Sequence, residues 1–72
     1  MIRGDAMGGD PFQMYAAVKM RQGVNWDILT DEEEKVLRAR CKGNPAYAAA
    51  LLPASVETIH RRERSIKRKL GD

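Results

Sequence analysis

Six of the nine residues from Arg61 to Lys69 are basic, and only Glu63 among them is acidic. At helical periodicity Glu57, Arg61, Arg64 and Arg68 recur four, three and four residues apart and share one face, while Val56, Ile59, Ile66 and Leu70 share the opposite one. A guanidinium offers paired N–H donors that match the two major-groove acceptors of guanine, and a carboxylate can accept from the amino group of cytosine. Cations farther along can neutralise phosphate, which holds register without reading sequence. Glu57 and Arg61 are therefore the candidate base readers, with Arg64 at their edge. Arg68, with Lys67 and Lys69, is expected at phosphate. Thr58 is expected to cap locally or meet phosphate, and His60 to make a polar or phosphate contact rather than act as a catalytic base. Ser55 and Arg62 complete the candidate set. A charge run alone is most often a solvated face; the capped turn in front of this one favours a DNA partner.

That turn comes from the stretch beginning at Asn44. Asn44 is a good N-cap and Pro45 suits the first helical position, where no N–H is needed. Pro53 cannot continue the helix, because it lacks a donor and clashes with the preceding turn. Ser55 then caps a second, longer helix. Two helices joined so tightly form a helix-turn-helix unit, whose second helix can enter the major groove. Ala48 and Ala49 are small enough for close approach, and Leu52 and Ile59 can meet across the turn.

Upstream, Thr30 and Glu33 spell a capping box, and the acids Asp31 to Glu34 sit at the positive end of a helix dipole. These carboxylates thus have a structural explanation without a catalytic or metal role. Val36, Leu37 and Cys41 are expected to face inward, with Arg38, Arg40 and Lys42 as cations towards the negative end of the helix and Gly43 as its stop. Trp26, in a linker, reads as a core plug. Asp10-Pro11 opens another capped helix, ending near Gly23, whose Phe12, Tyr15, Ala16 and Met20 share a face. That face suits either packing onto the domain or a homodimer contact. Residues 1–9 carry three glycines and read as a flexible segment. The expected helices cover 11–22, 30–42, 45–52 and 55–70, an all-α bundle of about four helices: a tri-helical core over 29–72, preceded by a helix and linker over 10–28.

The totals agree with one small domain. Seventy-two residues bury little core, and a net charge of +3 is polarised, acidic near Asp27 to Glu34 and basic at the far end. The single Cys41 permits no internal disulfide and no zinc spacing; it reads as a buried free thiol in a cytoplasmic setting. No apolar run reaches the roughly 20 residues of a membrane span, and no signal-type segment opens the chain. There is one His, no Ser/His/Asp set, no phosphate-cradling loop and no metal cluster, so neither an enzyme nor a cofactor is expected.

From Leu29 to Gly71 the chain resembles the LuxR/GerE-type helix-turn-helix domain. The resemblance is carried by Leu29-Thr30, Glu33, Val36-Leu37 and Gly43, then Ala49, Leu52 and Ser55, then Thr58-Ile59, Ile66 and Lys69-Leu70-Gly71. It implies a sequence-specific transcriptional regulator. One residue fewer separates Gly43 from the next helix than is usual, Asn44 to Ala48 replace the family's Ser-Asn-Lys-Glu-Ile run, and Arg62 stands where His is frequent. The family's fourth helix, often its dimer surface, has no counterpart before Asp72, so the N-terminal helix is expected to take its place. The promoter-reading C-terminal domain of sigma factors is similar too, through the Leu-Thr opening and Ser55-Val56-Glu57-Thr58. That likeness would add RNA polymerase as a partner. A third reading is an interaction adaptor that keeps the fold without binding DNA.

Overall fold

The computed structural model describes residues 10–71; the segment 1–9, read above as flexible, lies outside the described residues. Among the described residues four α-helices follow in order: α1 (Pro11–Gln22), α2 (Asp31–Lys42), α3 (Pro45–Leu51) and α4 (Val56–Leu70), with one 3-10 turn at Trp26–Ile28. No strand occurs among the described residues, and the expected helix bounds hold to within one residue at each end.

Each start is explained by its cap. The side chains of Asp10, Thr30, Asn44 and Ser55 accept from the backbone N–H groups of Gln13, Glu33, Tyr47 and Thr58 at 2.8–3.2 Å. Thr30 and Glu33 complete the reciprocal box, since the Thr30 N–H donates to Glu33 Oε1 at 2.9 Å. At the end of α3 the Ala54 N–H reaches back to Ala49 O at 2.9 Å, wrapping the turn; Pro53, just ahead of it, has no N–H to contribute.

The helix stops differ. Gly23 ends α1 at φ 98°, a left-handed value that favours glycine. Gly43 does not use that conformation: its φ is −158°, extended backbone. Glycine is demanded there by space, because a Cβ would lie 2.7 Å from Tyr47 Cδ2. The short step into α3 folds the Tyr47 ring back onto the chain, so the missing side chain at 43 permits the step.

α2 is the central element and packs against α1, α3 and α4; α3 packs in turn on α4. Leu37, Ala48, Ile59 and Ile66 are fully buried, with Val36, Ala39, Leu29, Phe12 and Ala16 completing the core. Full burial of an Ile such as Ile59 contributes roughly 1.5–3 kcal/mol. Phe12 and Ala16 lie in this core, and Tyr15 and Met20 are partly buried against it. The four side chains weighed as a dimer surface thus face the chain's own interior. A contact between copies through α1 would have to use Met14 and Val18, which are exposed.

Three inward assignments need adjusting. Val56, at the first residue of α4 and the edge of its apolar stripe, is 42% exposed. Cys41 is only partly buried, in a hollow beside Met14 and Ala17. Trp26 packs against the core from outside, with the Arg38 guanidinium 4.4 Å from its ring centre.

Candidate nucleic-acid interface

α4 is amphipathic in three ways, and each face has a separate environment. Its inner face carries Ile59, Ile66 and, between them at helical spacing, Glu63, which is buried. A carboxylate placed there requires a cation and hydrogen bonds to offset its desolvation. Arg40 of α2 supplies both: its Nε donates to Glu63 Oε2 at 2.5 Å, while Nη1 and Nη2 form a fork onto Asp10 at 2.7 and 2.6 Å. Nη1 also donates to Gly43 O at 2.7 Å, and the guanidinium carbon lies 5.3 Å from the Phe12 ring centre. The Arg40 side chain is only 2% exposed. One guanidinium therefore ties the N-cap of α1 and the C-cap of its own helix to the middle of α4.

Sequence reasoning missed this cluster, taking Arg40 with Arg38 and Lys42 as a helix-end cation. The signal was present. Arg40 falls three residues after Leu37, and Glu63 four after Ile59 and three before Ile66, so both occupy apolar stripes.

The face of α4 turned towards the start of α2 is also engaged. Arg62 pairs with Glu32 at 2.5 Å and Lys69 with Glu33 at 2.7 Å. Ser65 Oγ donates to the second Glu33 oxygen. Thr58 lies on this side as well, bonded within the Ser55 cap at 2.9 Å. On the opposite flank His60 Nδ1 is 3.1 Å from Glu63 Oε1, and Lys67 Nζ lies 5.3 Å from the Tyr15 ring centre. So Ser55, Thr58, His60, Arg62, Lys67 and Lys69, all candidate contacts, have structural partners inside the chain.

The third face is the outward one. Glu57, Arg61, Arg64 and Arg68 are exposed in a row, and the three arginines have no ion-pair partner among the described residues. The inner clasp sets this orientation: with Glu63 held beneath Arg40, rotation of α4 is fixed and the arginine row points away from the bundle. Among the described residues no three His, Cys, Asp or Glu side chains group as a metal ion would need, and no helix is long and apolar enough to cross a membrane.

Burial opposes the charge on Glu33, but hydrogen bonds from Lys69, Ser65 and the Thr30 amide outweigh it and lower its pKa from 4.5 to about 2. The Arg40 fork lowers Asp10 likewise, against the opposing effect of burial. An unfolded chain protonates Glu33 near 4.5, so its contribution to folding is complete above that pH and is lost as pH falls towards about 2. The linkage corresponds to at most about 3 kcal/mol for Glu33. Urea unfolding from about pH 6 down to about pH 2 should show a progressive fall in midpoint. Glu33→Gln should start lower at neutral pH and fall less across that range. Parallel curves for the two proteins would remove Glu33 as an acid-sensitive contact.

Set beside known proteins, the chain matches no family model, no curated protein and no solved structure.

Proposed function

We propose that the chain is a helix-turn-helix module that binds double-stranded DNA with α4 in the major groove and acts in transcriptional regulation, as its resemblance to the LuxR/GerE-type domain implies. The outward arginine row carries this reading. Arg62, Lys67 and Lys69 of the basic run are held by internal partners, yet Arg61, Arg64 and Arg68 are left exposed and unpaired on one stripe of a rigidly oriented helix. Three guanidinium groups aligned over about two turns match the fork geometry that reads guanine and clamps phosphate. Glu57, leading the row, is the one acceptor among them and suits cytosine. Neither an active site nor a cofactor enters the reading.

The test is a titration of the chain with random and with selected duplexes across salt concentrations. A DNA reader should lose affinity as salt rises, with a log–log slope of about −0.9 per neutralised phosphate, and should favour the selected site. Arg68→Ala should weaken all duplexes alike and reduce that slope by about one. A chain with no salt-dependent DNA binding would remove the reading and leave the adaptor function in its place.

A further inference from the structure

A groove runs between α2 and the turn that joins α3 to α4. Its floor is apolar: Val36 and Ile59, both buried, with Leu52 partly buried beside them. Leu51 stands on its edge, 56% exposed. The groove has a volume of ≈ 200 Å³ and continues past Leu51 and Leu52 into a second hollow of ≈ 200 Å³ over Ala39.

The rim is positive. Lys35 and Lys42 border the second hollow, both exposed and without an acceptor among the described residues. They are seven residues apart on α2, which places them about 10 Å apart along its axis. Two of the nearby acids are already engaged, Glu32 by Arg62 and Glu34 by Arg38. At the other end of the groove, Arg62 Nε is buried with no hydrogen-bond partner.

We propose that this groove docks an acidic amphipathic helix from a partner protein, with aliphatic side chains in the two hollows and carboxylates two turns apart against Lys35 and Lys42. Helix-in-groove recognition combines these elements: apolar anchors at helical spacing supply affinity and complementary charge sets orientation. A second copy of this chain suits the site poorly. On α1 of a second copy the exposed Met14 and Val18 stand beside Lys19 and Arg21, and on α4 the exposed Val56 precedes the basic run, so the sign of both matches the rim. A nucleic-acid backbone has no apolar groups for the floor. The arginine row lies on a different face of α4, so the groove can be filled whether or not DNA is bound, and the proposal stands independently of the DNA reading.

Calorimetric titration of the full chain with two synthetic helical peptides tests it. Both carry leucines at i, i+3 and i+4; one has glutamates seven residues apart on the flank, and the other has lysines in their place. The glutamate peptide should bind at least roughly tenfold more tightly than the lysine peptide. Lys35→Glu/Lys42→Glu should reverse that preference. Leu51→Asn should weaken the glutamate peptide roughly tenfold while leaving the melting temperature unchanged, because Leu51 is largely exposed. Equal binding of the two peptides, or glutamate-peptide binding indifferent to both variants, overturns the proposal. A dimer in sedimentation that dissociates on Leu51→Asn also overturns it, by making a second copy the occupant.

Discussion

Arg40→Met should cost about 3–5 kcal/mol of stability, because it strands the buried Glu63 and the half-buried Asp10 without their cation. A chain of 72 residues has a total stability of roughly 4–11 kcal/mol, so the loss is a large fraction of the whole. The cost comes from the orphaned Asp10 and Glu63 rather than from the value of the clasp itself. Asp10→Asn/Arg40→Met/Glu63→Leu should therefore recover most of the loss, since it removes the three clasped charges together and retains a side-chain oxygen to cap α1. Urea unfolding of the single and triple variants is the measurement. A loss below about 1 kcal/mol for Arg40→Met, typical of an exposed pair, would show that water reaches the cluster and that it does not orient α4.

Arg61→Ala, in the framework of the proposed DNA reading, should cost roughly 1–3 kcal/mol on the preferred duplex and relax the choice at one base position. Arg61 lies one turn after Glu57 near the front of α4, where recognition helices approach base edges, and no side chain of the bundle competes for it. Glu57→Ala should act in the opposite sense on non-specific duplexes, raising their affinity by removing a negative charge from the outward row while loosening selectivity. Selection from a randomised site, run with both variants and the parent, separates base reading from charge. Recovery of one unchanged motif by all three proteins would assign the row to phosphate alone. Neither substitution should disturb folding, because both side chains are exposed and outside the clasp.

The local grammar was legible without coordinates. Asp10-Pro11, the Thr30–Glu33 box, Asn44-Pro45 and Ser55 each announce a helix start, because capping depends on a side chain and a backbone group only two or three residues away. The outward row of α4 was legible for the same reason, since periodicity alone places Glu57, Arg61, Arg64 and Arg68 on one face. The role of Gly43 was only half legible: its stop signal was plain, but the reason for glycine lies in where the Tyr47 ring comes to rest.

The partners were decided by the tertiary structure. That Arg40 meets both Asp10 and Glu63, and that Lys69 and Arg62 pair with Glu33 and Glu32, depends on how α2 lies against α1 and α4, across separations of 23 to 36 residues. The same packing turned Phe12 and Ala16 inward, so the face of α1 that suited either packing or a partner became core. Charge and period along one helix determine which side chains share a face. Which of those charges remain available to a partner is set by the neighbouring helix, because an ion pair formed within the fold occupies a cation that the sequence alone presents as unpaired.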